Sequence, residues 1–162
     1  MTIRENSYIL LIATDLVGIK KRKAGKGEMK LSSKTHYGLM ACHVLAENYP
    51  DSSVSASVLE TRIAVSGKYL EKIMRMLSAR GIIAASRGAN GGYYLAKAPE
   101  DIKIGEIVRA LEDDMQIIGC VGKDKKCCCP SQVVWKRLYD GINEVLDSMT
   151  LKQMLDGEIK GE

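Results

Sequence analysis

Four of the five cysteines fall within ten residues: Cys120, Cys127, Cys128 and Cys129. A charged stretch, Lys123-Asp-Lys-Lys126, separates the first from the others, and Pro130 follows the last. Thiolates at this density ligate a soft metal or an iron–sulfur cluster, or they undergo oxidation and exchange. Zinc also takes four thiolates, but it favours paired ligands separated by two or more residues. Three consecutive cysteines supply no such pair. The cysteine count is odd, and adjacent thiols rarely bridge each other. Both facts argue against a secreted disulfide framework and for a reducing cytosol. The two histidines, His36 and His43, lie far upstream near Cys42. No phosphate-binding loop or nucleophile–base pair accompanies them, so the pattern does not indicate an enzyme.

The elements around the cysteines follow from periodicity and punctuation. Leu39, Met40, Val44 and Leu45 place a first helix over 31–47, with Ser32 or Ser33 as its start. A second helix runs from Ser55 to Ile63, with Ser57 and Glu60 in capping-box spacing. Ala64-Val65 is a tight connection. Ser66 then starts a third helix, Gly67 to Arg80, closed by Gly81. Two short β-like runs between Ile82 and Leu95 flank a Gly-rich turn containing Asn90-Gly91, which predicts a hairpin. A short amphipathic helix covers Ile104 to Leu111, and the cysteine loop follows it to Cys129. Pro130 opens a last long helix with an apolar stripe at Val134, Leu138, Ile142, Val145 and Met149, extended by Leu151 and Met154. Trp135 reads as an anchor for that helix. The expected fold is mainly α with a small β-hairpin: a winged helix-turn-helix plus a long C-terminal dimerisation helix.

That order has a chemical meaning. The third helix carries Leu70, Ile73, Met74 and Leu77 on one face, and Lys68, Lys72 and Arg75 on another. A second helix joined through a short turn to the first is the one that enters a DNA major groove. Ser66, Lys68, Tyr69, Lys72 and Arg75 are its candidate base and phosphate contacts. Arg87, at the base of the hairpin, could reach a minor groove, and Lys34 could hold a phosphate.

Charge divides in the same sense. Residues 29–100 carry 9 Lys+Arg against 5 Asp+Glu, and residues 101–162 carry 9 against 12. The basic excess therefore sits with the predicted head, where a polyanion would bind. Phenylalanine is absent, so Leu, Ile, Val and Met must fill the core. No apolar run is long enough to span a membrane. Residues 1–28 hold the apolar run Tyr8–Ile19 followed by Lys20-Lys-Arg-Lys23, the reverse of a signal peptide's order. A second start at Met29 makes them an upstream extension of uncertain status. The expected organisation is thus 1–28 extension, 29–100 DNA-binding head, 101–155 cysteine loop and dimerisation helix, and 156–162 tail.

Met29-Lys-Leu-Ser32, Tyr37-Gly-Leu39, Val65-Ser-Gly-Lys-Tyr-Leu-Glu-Lys72, Ser86-Arg-Gly-Ala-Asn-Gly-Gly-Tyr93 and Leu146-Asp-Ser-Met-Thr-Leu151 resemble the Rrf-two family of winged-helix regulators. The family includes IscR-, NsrR- and CymR-like members, and the resemblance covers residues 29–155. It implies a homodimer crossed through the long helix and bound to an imperfect palindromic operator in double-stranded DNA. It also implies an iron–sulfur cluster, 2Fe–2S or 4Fe–4S, held in the cysteine loop. Cys120 matches the first family cysteine, Cys127 or Cys128 the middle one, and Cys129 the last. Gln132 stands where IscR-like members place a histidine, and a neutral amide is a poor iron ligand. The spare cysteine is one candidate for the fourth ligand. His36 from the partner subunit is another, because some relatives use an acidic side chain at the matching position. The implied function is a cytosolic repressor that responds to redox state, nitric oxide or iron–sulfur status. It would take no small-molecule substrate and touch no membrane. A cluster-free thiol or partner-protein sensor of the same fold is the alternative. A small metal or redox protein without specific DNA binding is the more distant one.

Overall fold

The computed structural model describes residues 31–88, 91–112 and 130–159. The N-terminal extension, Asn90 of the hairpin turn and the whole cysteine loop, including Cys120, Cys127, Cys128 and Cys129, lie outside the described residues. Among the described residues the architecture is mostly helical with one two-stranded sheet, as the periodicity predicts.

Helix α1 (Ser33–Ala46) is the centre of the head. Its buried residues, Thr35, Gly38, Ala41, Cys42, Val44, Leu45 and Ala46, spread over about half of its circumference, so it has no narrow apolar stripe. A helix packed on several sides has none to show. Helices α2 (Ala56–Ile63) and α3 (Gly67–Ala79) follow and pack against it. Leu59 and Ile63 of α2, with Leu70, Ile73, Met74 and Leu77 of α3, complete that part of the core. The α2–α3 turn is three residues long. Ala64 occupies the left-handed region at φ 54°, and its backbone N–H donates to the Glu60 carbonyl.

The hairpin pairs β1 (Ile83–Ser86) with β2 (Gly92–Leu95), antiparallel, from Ile83 opposite Leu95 to Ser86 opposite Gly92. Val54 extends it by a bridge to Tyr93, with both N–H···O distances at 2.9 Å. Gly92 is required there, because a Cβ would collide with the Val54 carbonyl. After a 3₁₀ turn at Pro99–Asp101, helix α4 (Ile104–Leu111) buries Ile104, Ile107, Val108 and Leu111 against α1 and α3.

Helix α5 (Gln132–Ser148) is the long C-terminal helix, and none of its side chains is buried. It begins two residues later than the proline signal suggests: Pro130 and Ser131 form a turn before it. Its apolar stripe also stops sooner. Met149 is extended, at φ −100° and ψ 137°. A short helix α6 (Leu151–Asp156) follows, started by a capping box between Thr150 and Gln153. The Leu151 N–H donates to the Ile102 carbonyl and the Ile104 N–H to the Met149 carbonyl, and this stitches α6 back onto the head. Leu151 is therefore core, not a continuation of the stripe. Similarly, the second-helix cap is Ser55, whose Oγ accepts from the Val58 N–H; Ser57 lies inside the helix.

The left-handed Ala64 gives a stability prediction. A non-glycine residue in that region costs about 1 kcal/mol, and glycine avoids it at some entropic cost in the unfolded chain. Ala64→Gly should stabilise the protein by about 0.5 kcal/mol, read as a higher urea midpoint at unchanged slope.

Candidate nucleic-acid interface and its junction with the cysteine loop

Helix α3 turns Leu70, Ile73, Met74 and Leu77 inward, which leaves Lys68, Lys72 and Arg75 exposed on the opposite side. Ser66, immediately before the helix, is exposed too, but its hydroxyl makes no capping hydrogen bond. The Glu60 side chain reaches this helix start instead: a Cβ at Gly67 would strike the Glu60 carboxylate. A carboxylate there complements the helix dipole. Arg75 is not a free cation. Its guanidinium donates to Glu71 at 2.7 Å, one turn back on the same exposed face. The i, i+4 spacing of Glu71 and Arg75 announces this pair in the sequence.

Tyr69 is half-buried and meets Tyr37 of α1 edge-on, with ring centroids 6.0 Å apart at 88°. Its ring thus anchors α3 to α1 as much as it offers a surface. Tyr37 meets His36 in turn at 5.3 Å. His36 is exposed in the first turn of α1, and Lys34 is half-buried beside it. Arg87 is exposed directly after β1, so the wing presents it to solvent.

The other residues near His36 are not spare ligands. Burial pushes the Cys42 thiol up to about 12, and the side chain is sealed in the core. His43 faces the Glu47 carboxylate at 3.7 Å. The Glu47 carboxyl also accepts from Arg62 of α2 at 2.5 Å, and this hydrogen bond holds it below the usual carboxylate range. Among the described residues with metal-ligating chemistry near the start of α1, His36 is the exposed one.

The structure adds a junction that sequence spacing does not reveal. Glu112 stands at the end of α4, one residue before the cysteine loop. Its Oε1 accepts from the Ser32 N–H at 2.7 Å and the Ser32 hydroxyl at 2.7 Å, and also from the Thr35 hydroxyl. Thr35 is the buried polar side chain among the described residues. Ser32 therefore does not cap α1 with its own oxygen; a carboxylate 80 residues away serves the helix start. Burial alone would raise the Glu112 carboxyl, but the hydrogen bonds from Thr35 and Ser32 and the nearby Lys34 ammonium outweigh it and hold it low.

Comparison with known proteins identifies this arrangement. Residues 31–157 match the family model described as Rrf2, iron-dependent transcriptional regulator. The chain belongs to the Rrf2 (Rrf-two) family. It is 32% identical over 133 residues to the regulator CymR of Bacillus subtilis, covering 80% of this chain and 94% of that one. It is 29% identical to IscR of Erwinia tasmaniensis, covering 80% and 81%. Among solved structures, IscR of T. potens superposes with a TM-score of 0.66 at 35% identity, covering 85% of this chain and 96% of that one. The structure of CymR, described as the global cysteine regulator of B. subtilis, gives 0.66 at 31% identity, covering 80% and 98%. As an Rrf2 protein the chain is a DNA-binding transcriptional regulator rather than an enzyme. No helix among its described residues is long and apolar enough to cross a membrane.

Glu112 gives a prediction with a definite sign. A carboxyl whose folded value is depressed stabilises the fold fully above its unfolded value, and that stability is lost as pH falls through the folded one. Glu112→Ala should cost about 1.5–3 kcal/mol at neutral pH, the range for hydrogen bonds to a charged group. The difference from wild type should begin to shrink as pH falls below about 4.3, the ordinary glutamate value, where the unfolded chain starts to bind the proton that the folded carboxyl resists. Urea unfolding at pH 7 and pH 3.5 checks both parts.

Proposed function

We propose that this Rrf2 regulator is a homodimeric cytosolic repressor that binds an imperfect palindrome and senses redox state, nitric oxide or iron–sulfur status. The observation that carries the DNA reading is the exposed face of α3, with Lys68, Lys72 and Arg75 beside Ser66 and Tyr69. Arg87 on the wing and Lys34 at the start of α1 would flank it with phosphate or minor-groove contacts. The dimer reading rests on α5. Val134, Leu138 and Val145 are 63%, 44% and 60% exposed. With Gly141 and Ile142 they line a continuous apolar groove that a second copy of α5 would cover.

The sensor reading rests on the donor set. Cys120, Cys127, Cys128 and Cys129 offer thiolates, and His36 of the partner subunit offers an exposed imidazole on a helix start that Glu112 ties to the end of α4. An iron–sulfur cluster bound there would supply ligand bonds that oxidants and nitric oxide break. Either a 2Fe–2S or a 4Fe–4S cluster takes four protein ligands: Cys120, Cys129, one of Cys127 and Cys128, and either the spare cysteine or His36. Similarity to CymR supports a second reading, a cluster-free thiol sensor on the same fold.

Two experiments test these readings. In gel shifts on a duplex selected by the wild-type chain from a random pool, Lys72→Ala should weaken binding and reduce the salt slope by about 1, as loss of one phosphate contact does. Equal binding to selected and random duplexes by wild type would favour the redox-protein alternative. Anaerobic purification with absorption spectra and iron and sulfide assays tests the cluster. A colourless, iron-free protein after anaerobic reconstitution would favour the thiol sensor. An unchanged spectrum in His36→Ala would assign the fourth ligand to cysteine.

A further inference from the structure

Helix α5 buries none of its side chains, yet it must hold a fixed angle to the head if two heads are to meet two half-sites. Leu146 packs at the edge of the core, and apolar contact at an edge resists sliding weakly. Backbone hydrogen bonds at Met149 and Leu151 hold the chain just past its end, and along the helix itself the directional contact is made by side chains. Arg109 of α4 donates from Nη2 to Asp147 Oδ1 at 2.5 Å and from Nη1 to Asn143 Oδ1 at 3.2 Å. Asn143 and Asp147 stand one turn apart on α5. The Asn143 amide nitrogen donates to the Tyr139 carbonyl at 2.8 Å, which turns its oxygen toward Arg109. A planar guanidinium that spans two such acceptors fixes rotation as well as distance. Gly105, one turn before Arg109, makes room for the pair: a Cβ there would strike Asp147 Oδ1 and stand 2.9 Å from both guanidinium nitrogens.

We propose that Arg109 is a positioning residue for operator spacing: through Asn143 and Asp147 it sets the angle between the DNA-binding head and α5, and so the separation of the two α3 helices in the dimer. The proposal rests on the reading of a dimer joined through α5. The opposite end of the same short helix carries Glu112, which holds α1. Helix α4 is thus tied to α5 by one side chain and to the head's central helix by another, three residues on. An ion pair this exposed contributes little to global stability. Its effect is on geometry, which the distance between heads amplifies.

The test uses the full chain and the selected duplex, rebuilt with one base pair added or removed between half-sites, and also as a single half-site. Wild type should prefer the selected spacing. Arg109→Ala should bind the single half-site within about twofold of wild type, but bind the selected spacing about three- to tenfold more weakly and lose most of its preference among spacings. Gly105→Ala should do the same, and Arg109→Asp combined with Asp147→Arg should restore part of the preference. If Arg109→Ala unfolds, as circular dichroism would show, Arg109→Lys decides, since it keeps the charge and loses the fork. An unchanged spacing profile in a folded Arg109 variant overturns the proposal and leaves the dimer reading intact. Equal loss on half-site and full site also overturns it. A monomeric wild type, or one without spacing preference, overturns the dimer reading and the proposal together.

Discussion

The close seat of α4 on α1 is the constraint on which the rest of the molecule depends. Gly38 makes it possible: a Cβ there would strike the Leu111 side chain and touch Ile73 of α3. With Gly38 in place, Leu111 is completely buried, and α1, α3 and α4 share one core. A larger residue at 38 would have to displace the end of α4, and interiors at this packing density rarely yield so much without loss. Because Leu111 is pinned, Glu112 arrives at the start of α1, and because the rest of α4 is pinned, Arg109 arrives at α5. One apolar contact therefore fixes where two polar ties can form.

Those ties have different characters. Glu112 serves three donors at the edge of the core, two of them hydroxyls, and no buried side-chain nitrogen or oxygen among the described residues lacks a partner. Its removal would leave the buried Thr35 hydroxyl and the Ser32 N–H just before α1 to be satisfied by water. Arg109 lies at the surface, where water competes for every hydrogen bond. The first tie consequently belongs to the stability of the head. The second belongs to the direction in which the head is carried.

Much of the head was legible before the structure. The apolar positions of α3, α4 and α5 recur at helical spacing, and the turn residues around 64–66 and 88–92 punctuate them, so local signals and tertiary packing agree. The misreadings were local choices that tertiary contacts overrode. Ser57 looked like a cap because Glu60 follows it by three residues, yet Ser55 caps α2, and the Glu60 side chain turns toward Gly67 at the start of α3. Leu151 looked like more stripe. Instead the backbone of Ile102 captures the chain after Met149, and a new helix begins with the Thr150–Gln153 box, a spacing present in the sequence.

The sequence by itself determined the elements as far as α5, their order, the family, and which cations stand on the outer face of α3. All of these depend on spacings within some twenty residues. Only the tertiary structure decided that Glu112 caps a helix 80 residues before it, that Arg109 reaches α5, that Cys42 is sealed away and that Tyr69 shares its ring with Tyr37. The physical reason is common to these four. Each depends on which faces of α1, α3, α4 and α5 meet, and that is set by how closely Gly38 and Gly105 allow the helices to approach, a property of the assembled core rather than of any one segment.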